Sequence, residues 1–295
     1  MKTNLSTIVW RGLSTTGVDV CMVASIGGNN KTKHVLELSL IPTSIIQDWS
    51  SLTEGIKPLL QGTMFVHALR DRGLIRAICP DSCTYVQAGT GCYVNHNPRN
   101  AAQVARIIRN VDTMPEPGLY LDALQEIAKL ARLLGLQKVR SMITGDGALV
   151  PVAVWQPIET LLLAKYPADA WLGYTHDPIA APHLKLTHVA SCDTREQAIN
   201  ALANGWSVFE VGDPTAQSMP VGASLCPASK EFANFRGFKM DCGGCPMACN
   251  GARQKHNYIP RHSAGDSSRK AASARRGNNT LTDSKGRTRG LMVAA

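Results

Sequence analysis

Short runs of apolar and β-branched residues, typical of strands, mark the first 70 residues of the chain. The runs lie at residues 7–10, 18–25 and 34–40. Gly27-Gly28-Asn29-Asn30 precedes the third run, and glycine with asparagine is a common composition for a tight turn. The pattern therefore predicts a β-rich start, residues 1–70, that contains a hairpin.

From residue 100 onward, apolar positions at helical spacing alternate with short apolar runs, as in successive βα units. Gly135 is placed to end the second predicted helix. The predicted helices are 101–109, 119–134, 152–164 and 195–204, and the predicted strands are 139–143, 171–174, 186–190 and 207–211. The sequence therefore predicts an α/β protein with parallel strands, as a partial or complete TIM-like β/α barrel or as an open sheet.

Polar residues follow four of the predicted strands, where such folds gather their chemistry. Asp146 and His176 follow the first two strands and are the candidate catalytic residues, with histidine as the acid or base because its ordinary pKa lies near neutrality. Asp193 and Asp213 follow the next two strands and are better explained as a helix cap or a turn.

Composition places most of the chain in a folded domain. Of 295 residues, 44% are hydrophobic and 18% are charged, which excludes a small disulfide scaffold and a wholly disordered chain. The longest apolar run is far below the roughly 18 residues of a membrane span, and residues 1–17 have no apolar core flanked by basic residues. We expect a cytoplasmic protein that has no membrane partner.

Nearly all of the net charge of +9 lies at the C-terminal end. Residues 251–295 contain ten basic and two acidic side chains, whereas residues 1–250 are almost neutral. Residues 263–289 are rich in Ser, Gly, Asn, Lys and Arg and have little to bury, which predicts disorder. We therefore divide the chain into a domain at 1–250 and a basic tail at 251–295 that either binds nucleic acid through its phosphates or only solubilises the protein.

Seven of the nine cysteines form two groups, a pattern that favours metal binding in an intracellular protein. In the second group, within residues 226–249, a Cys-x-x-Cys pair on a Gly-Gly turn can complete a tetrahedral site with two further thiolates. Zn²⁺ and an iron–sulfur cluster both fit such ligands, and His256 or His262 can replace one of them. The four predicted ligands are Cys226, Cys242, Cys245 and Cys249.

The first group, within residues 79–93, supplies Cys79, Cys83 and Cys92, the last followed by Tyr93. Three thiolates leave one coordination position open, as in the iron–sulfur sites that bind S-adenosylmethionine in β/α barrels. The spacing differs from the spacing usual in that superfamily. The alternatives are spare thiols, or a closed zinc site completed by His96.

Several short motifs occur in the order seen in a family of phage and mobile-element proteins. They include Gly28-Asn29-Asn30-Lys31-Thr32, Cys92-Tyr93, Thr144-Gly145-Asp146 and Gly173-Tyr174-Thr175-His176. On these motifs the chain resembles the phage gene-88-type proteins over about residues 27–250. Thr144 replaces a usual Ser, and Lys33 replaces a usual Gly. The resemblance implies a phage or mobile-element context, with the host cytoplasm as location, and does not imply a reaction.

Three functional hypotheses follow. The leading one is an iron–sulfur enzyme resembling the radical S-adenosylmethionine class, with its cluster on the first cysteine group and nucleic acid or nucleotides as substrate. The second is a zinc-containing transglycosylase that resembles the enzymes inserting deazaguanines into tRNA or DNA, with Asp146 as nucleophile and His262 as a zinc ligand beside Cys242, Cys245 and Cys249. The third is a zinc-stabilised nucleic-acid-binding or replication-associated protein without catalysis.

Overall fold

The fold combines two β-sheets with helices, as seen in a computed structural model of the chain. The structure describes residues 6–27, 35–57, 61–83, 98–111, 113–212, 219–229, 232, 234, 236–238, 240–242, 245, 249–252 and 255–260. The strands are β1 Ser6–Leu13, β2 Asp19–Gly27, β3 Val35–Pro42, β4 Gly118–Leu119, β5 Val139–Arg140, β6 Trp171–Leu172, β7 Tyr174–Thr175, β8 Val189–Cys192, β9 Val208–Gly212, β10 Ser224–Leu225 and β11 His256–Pro260. The helices are α1 Thr43–Gln47, α2 Trp49–Leu52, α3 Gln61–Asp71, α4 Ile75–Ile78, α5 Pro98–Arg109, α6 Leu121–Leu133, α7 Val152–Leu163 and α8 Arg195–Ala203.

The first sheet has the strand order β4-β1-β2-β3-β5-β6, and the second has the order β10-β11-β9-β8-β7. Strands β1 to β4 pair antiparallel, whereas β3, β5 and β6 pair parallel. Every pair in the second sheet is parallel. Only Gly173 separates β6 from β7, so the chain passes from one sheet to the other within five residues.

The predicted α/β class is confirmed, with parallel strands in both sheets. Neither sheet closes on itself among the described residues, so what the structure shows is two open sheets and not a TIM-like barrel. Short strands account for part of this: β5, β6, β7 and β10 each contain two residues. Two-residue strands make few ladder hydrogen bonds, and loops carry much of the connection between neighbours.

The two faces of the sheets differ in character. Residues that are direct neighbours across two strands share a face, and Ser25, Glu37, Arg140 and Leu172 follow one another in register across β2, β3, β5 and β6. Trp171 points to the opposite face, because side chains alternate along a strand. There it meets Trp155 of α7 edge to face, with ring centroids 6.4 Å apart and both side chains fully buried.

The hydrophobic pattern located most of the longer elements. The three early strands, the β2–β3 antiparallel pair and the four predicted helices are all present, with ends shifted by a few residues. The predicted β-rich start over residues 1–70 is correct only as far as Pro42, because helices α1, α2 and α3 follow between Thr43 and Asp71. Gly135 has φ +77°, and its N–H bonds the carbonyl of Arg132, so it ends α6 as predicted. The predicted strand at 186–190 begins three residues later, at Val189, because a 3₁₀ turn at Pro182–Leu184 precedes it.

The folded part of the chain continues beyond the predicted boundary at residue 250. Strand β11 belongs to the segment assigned to the tail, yet it pairs with β9 along its whole length and with β10 on its other side. Tyr258 in its centre is 1% exposed. Residues 261–295, which hold most of the predicted tail, lie outside the described residues. No described helix is long and apolar enough to cross a membrane.

Candidate functional site

Four cysteines from separate parts of the sequence line one small cavity on the second sheet. They are Cys226, Cys242, Cys245 and Cys249, the four predicted ligands of the second group. None of the four forms a disulfide with another described residue, and Cys226 is buried. Tyr174 of β7, Phe209 of β9 and Asn257 of β11 complete the wall together with Leu172 of β6.

Backbone hydrogen bonds fix the first and last cysteine to the sheets. The N–H of Cys226 bonds the Tyr258 carbonyl at 2.8 Å, which places this cysteine directly after β10. The carbonyl of Cys249 accepts from the N–H of Gly173 at 3.0 Å. A Cβ atom on Gly173 would lie 2.6 Å from the Thr187 carbonyl. Only glycine therefore fits between β6 and β7 at this point.

Lys138, which directly precedes β5, holds the Cys-x-x-Cys turn. Its Nζ donates to the carbonyl oxygens of Cys242 and Cys245 at 3.0 and 3.1 Å. A cation at this place also offsets the negative charge that four thiolates would carry around a divalent ion. The sequence analysis did not identify this lysine, because 104 residues separate it from Cys242.

Burial and crowding keep the thiol of Cys249 neutral when no cation is near. Burial raises the pKa of Cys249 to about 12, and the neighbouring Cys226, Cys242 and Cys245 raise it further against an opposing hydrogen bond from Tyr174. Burial and the same cysteines also raise the pKa of Tyr174 well above its ordinary value. A metal ion favours the thiolates and so reverses this preference.

The donor set fits a single soft cation better than a large ligand. The cavity has a volume of about 20 Å³, which is room for one water-sized occupant. No three His, Cys, Asp or Glu side chains in the described part of the chain are close enough to form a finished metal site. The four thiols thus surround a shared space without yet converging on one point, and metal binding requires them to move inward to zinc–sulfur distances of about 2.3 Å.

His256 lies away from this cavity, contrary to its predicted place as a substitute ligand. Its Nε2 pairs with Glu210 at 2.8 Å, and Glu210 also binds Nε of Arg195 at 2.9 Å. His256 and Glu210 share the face of the sheet opposite to Asn257 and Phe209, because these residues alternate along β11 and β9. His262 and the predicted alternative ligand His96 lie outside the described residues.

Two members of the first cysteine group are described. Cys79 directly follows α4 and is half-buried, and Cys83 is buried four residues later. The carbonyl of Ile78 lies 3.2 Å from where a Cβ of Gly145 would stand. Cys79 therefore lies close to the loop that carries Asp146. Cys92 and Tyr93 lie outside the described residues.

The structure brings Asp146 and His176, the two candidate catalytic residues, together. Asp146 is 3% exposed, and its Oδ2 accepts the backbone N–H of His176 at 2.7 Å. The ring Nδ1 of His176 lies 3.6 Å from the same oxygen, and a quarter of this side chain is exposed. His176 can thus exchange protons with a bound molecule while Asp146 stays behind it.

Electrostatics stabilise the charged form of both partners. Burial alone would raise the pKa of Asp146, but the hydrogen bonds and charge of His176 and the N–H of Ala148 lower it. Burial would lower the pKa of His176, but Asp146 and, more weakly, Asp193 raise it. The pair therefore resembles the carboxylate–imidazole arrangement that orients a histidine for acid–base chemistry.

Local backbone geometry explains why glycine precedes Asp146. Gly145 has φ +84°, and a Cβ there would stand 2.6 Å from the Cβ of Leu40. After this turn, Oδ1 of Asp146 accepts the N–H of Ala148 at 3.0 Å and caps the 3₁₀ turn Gly147–Leu149. Asp146 therefore has a structural role as well as its pairing with His176.

A buried chain of hydrogen bonds lies beneath this loop. The hydroxyl of Thr187 bonds Glu159 at 2.6 Å and Nδ1 of His188 at 3.0 Å, and Nε2 of His188 bonds Ser141 at 2.8 Å. Since the Thr187 hydrogen goes to Glu159, we assign the proton of His188 to Nδ1. Burial lowers the pKa of His188 to about 4, so this histidine is neutral near pH 7.

The other two strand-end aspartates differ in what the structure shows of them. Asp193 is buried, 5% exposed, but the cap of α8 is the next residue, Thr194, in a capping box with Gln197. The negative charge of Asp193 contributes to the raised pKa of His176. Asp213 lies outside the described residues.

Comparison of the chain with protein-family models, curated proteins and solved structures finds no match.

Proposed function

We propose that the protein is a metalloenzyme that acts on nucleic acid or its nucleotides. In this proposal the four-cysteine cavity holds a structural metal ion, and the pair of Asp146 and His176 performs acid–base chemistry. The observation that carries the proposal is the meeting of four cysteines at one cavity, three from residues 242–249 and the fourth, Cys226, from 16 residues before Cys242. Cysteines that form no disulfide are typical metal ligands when they cluster in this way.

Zn²⁺ is the proposed occupant of this cavity. Four thiolates form a closed tetrahedral zinc site, and the volume of about 20 Å³ accommodates a single ion. When bound, such an ion supplies a crosslink between chain segments and leaves no open coordination position. Cys226 and Cys249 would then link the two sheets, through Tyr258 and Gly173.

His176 is the proposed acid or base, and Asp146 the residue that orients it. His176 is partly exposed, whereas Asp146 is almost fully buried with hydrogen bonds at both carboxylate oxygens. A carboxylate in this position cannot reach a sugar carbon. This geometry counts against the transglycosylase hypothesis, which needs Asp146 as nucleophile, and supports a proton-transfer role for the pair.

The position of the first cysteine group favours the iron–sulfur hypothesis for the reaction itself. Cys79 lies beside the loop of Asp146, at the end of the sheet where His176 is also found. With Cys92 as third ligand, these cysteines would hold a cluster next to the acid–base pair. When bound, a three-thiolate cluster supplies single electrons and an iron that is open to S-adenosylmethionine.

Nucleic acid as substrate is proposed from charge. Ten basic side chains between residues 251 and 295 against two acidic ones support this proposal, because lysine and arginine neutralise the phosphates of nucleic acid. A domain that is almost neutral gains its attraction to a polyanion from such a segment. Nucleotides share this phosphate chemistry, so both substrates belong to the proposal.

Anaerobic purification followed by iron, sulfide and zinc analysis tests the proposal. We expect one zinc per chain, lost in Cys242→Ala/Cys245→Ala, together with iron and sulfide that are lost in Cys79→Ala/Cys83→Ala/Cys92→Ala. Zinc that is present in both variants, or iron absent from the wild type, would reject the corresponding site. A purified protein with zinc alone, and with no change in nucleic acid on incubation, would leave the third hypothesis, a binding protein without catalysis.

A further inference from the structure

An open groove lies between the C-terminal ends of helices α6 and α7. Its volume is about 490 Å³, against about 20 Å³ for the cysteine cavity, and sites of several hundred Å³ take molecules much larger than an ion. The residues that line the groove are Lys129, Arg132, Leu133, Ala164 and Lys165. Three of these five side chains are cationic, and no acidic side chain of the described residues lines the groove.

The two lysines of the groove are available to a ligand. Lys129 is exposed, and Lys165 is half-buried. Within the part of the chain that the structure describes, neither lysine makes a hydrogen bond or an ion pair. Glu126, the acidic residue nearest to Lys129 along α6, is also exposed and forms no ion pair with it. Both ammonium groups therefore face solvent with their charge unpaired by a described neighbour.

The arginine of the groove is held in place from one side. The guanidinium of Arg132 lies over the ring of Tyr166, 5.5 Å from its centroid, and Nη1 donates to Oε1 of Gln137 at 2.5 Å. Its Nε and Nη2 make no hydrogen bond with a described residue. A guanidinium fixed in this way loses little rotamer freedom on binding, and its remaining donors match the oxygens of a phosphate group.

The ends of the two helices account for only part of this positive charge. The unpaired carbonyls at a helix C-terminus are equivalent to about half a negative charge. Helices α6 and α7 together therefore offset about one of the three cations. A net charge of about +2 is left at a concave surface, where it attracts an anionic molecule.

We infer that this groove binds the phosphodiester backbone of nucleic acid. Lysine and arginine hold phosphate oxygens and position a protein on nucleic acid without reading its sequence. Leu133 and Ala164 add an apolar wall, against which the sugars between the phosphates can pack. The inference rests on the proposed function, from which it takes nucleic acid as the partner. It adds a phosphate contact on the folded domain to the basic segment 251–295.

The position of the groove favours a polymer over a free nucleotide as the substrate. Helix α7 begins at Val152, six residues after Asp146, and ends beside the groove. Its 12 residues span about 18 Å at about 1.5 Å per residue. One strand of a duplex carries a phosphate about every 3.4 Å along the axis. A molecule that reaches both the groove and the pair of Asp146 and His176 must therefore carry several phosphates, which a nucleic acid does.

The salt dependence of DNA binding by the full chain tests the inference. Fluorescence anisotropy gives the association constant of a short DNA, as duplex and as single strand, over a series of salt concentrations. The slope of its logarithm against the logarithm of the salt concentration counts the neutralised phosphates. Lys129→Gln/Lys165→Gln should reduce the magnitude of this slope by about 1.8 on the duplex or about 1.4 on the single strand, because two phosphate contacts are lost.

A control variant removes the same charge from outside the groove. Lys57→Gln/Arg70→Gln changes two exposed side chains and should leave the slope of the wild type unchanged. The midpoint of thermal unfolding should be the same in the groove variant and the wild type, because the two lysines make no described bond. A weaker affinity then reports lost contacts with DNA and not a lost fold.

The possible failures are distinct from one another. A slope that is unchanged in the groove variant would overturn the inference and leave nucleic acid as a partner that binds elsewhere. An equal fall in both double variants would also overturn it, because general attraction to a basic protein would explain the change. No DNA binding by the wild type would reject the inference together with nucleic acid as the substrate in the proposed function.

Anionic vesicles test the other class of phosphate-bearing surface. Vesicles that contain phosphatidylserine should bind the wild type and the groove variant equally. Vesicle binding that is lost in the groove variant while its DNA binding stays unchanged would overturn the inference and assign the groove to a membrane surface.

Discussion

The cysteine cavity and the pair of Asp146 and His176 meet the same short segment of chain, because Leu172 and Tyr174 line the cavity and His176 belongs to the pair. The two sites are nevertheless built in opposite ways. The cavity gathers four chemically identical groups, three from residues 242–249 and one from Cys226, and leaves a space between them. The pair joins two different groups that already satisfy each other, with no space left between their atoms. An arrangement that is incomplete without a ligand stabilises the fold when the ligand binds, whereas a self-sufficient pair can act repeatedly on passing molecules.

From the difference between the two sites we predict, first, that removing the metal ligands lowers the free energy of unfolding far more than removing Asp146 does. Cys242→Ala/Cys245→Ala should lower the free energy of unfolding by about 4 kcal/mol, the gain from a ligand present at a thousand times its Kd. Thermal unfolding with and without a chelator measures this loss. Cys21→Ala, at a buried lone cysteine, is the control and should retain zinc. Equal stability of the double variant and the wild type would show that the cavity holds no structural ion.

The second prediction concerns how the contribution of Asp146 and His176 to the free energy of unfolding depends on pH. Asp146→Asn should lower the free energy of unfolding by about 1 to 3 kcal/mol, because a charged acceptor of two N–H groups is lost. The lowered pKa of Asp146 makes its contribution appear above its ordinary value of 3.8 and disappear as the pH falls through the folded value. The raised pKa of His176 makes its contribution complete below 6.5 and lost as the pH rises through the folded value.

The difference between wild type and Asp146→Asn should therefore be largest between about pH 4 and pH 6.5. Urea unfolding across this range measures it, and NMR titration of His176 should show a lower pKa in the variant. Asp169→Asn, at a carboxylate outside the pair, is the control. A difference that is flat from pH 4 to pH 8 would mean that Asp146 acts only as a cap for the 3₁₀ turn.

Lys138→Met tests how much this lysine, which holds the Cys-x-x-Cys turn, contributes to metal binding. The substitution removes both hydrogen bonds to the Cys-x-x-Cys turn and the positive charge, and it should weaken zinc binding about tenfold, as expected for groups just outside the ligands. Competition with a chromophoric chelator measures the affinity. Lys129→Met, on α6, serves as the control. A change in stability without a change in zinc affinity would assign Lys138 to the sheet alone.

Tyr174→Phe has the smallest predicted effect. It removes one hydrogen bond to the Cys249 sulfur and leaves the ring in the cavity wall. Affinity for zinc should fall less than in Lys138→Met, while the charge-transfer absorption of the Co²⁺ form should shift, because a ligand sulfur has lost a donor. An unchanged Co²⁺ spectrum would mean that Tyr174 does not contact the bound state.

Sequence spacing predicted the cysteine cavity better than it predicted the environment around it. Cys242, Cys245 and Cys249 lie within eight residues, so their approach follows from local chain geometry, and Cys226 has the same chemistry. Lys138 and Tyr174 lie beside the cysteines because strand pairing brings together segments that are far apart in the sequence. A contact of this kind leaves no pattern in the local sequence. Asp146 and His176 were identified as strand-end residues, but only the parallel arrangement of strands brings them together.

The missed elements have local reasons. Strand β11 has the sequence His-Asn-Tyr-Ile-Pro and lies between basic residues. Two apolar residues in this basic context are too few to predict a strand. Strands β4 and β10 contain two residues each, too few for any periodicity. The predicted barrel followed from the correct alternation of strands and helices, which cannot distinguish closed from open sheets. The buried row at Glu37 and Arg140 is equally invisible, because an isolated charge in an apolar run shows no partner.

The insertion of β11 between β9 and β10 has a consequence for the order in which the protein is made. The second sheet cannot take its final order until β11 has emerged from the ribosome, because β11 is the one strand that pairs with β10 in the described part of the chain. Cys226 directly follows β10, and its N–H bonds the Tyr258 carbonyl, so its place in the cavity is set only once β11 has been made. On the proposed function, zinc would therefore bind only after β11 has been synthesised, when all four cysteines can lie at the cavity.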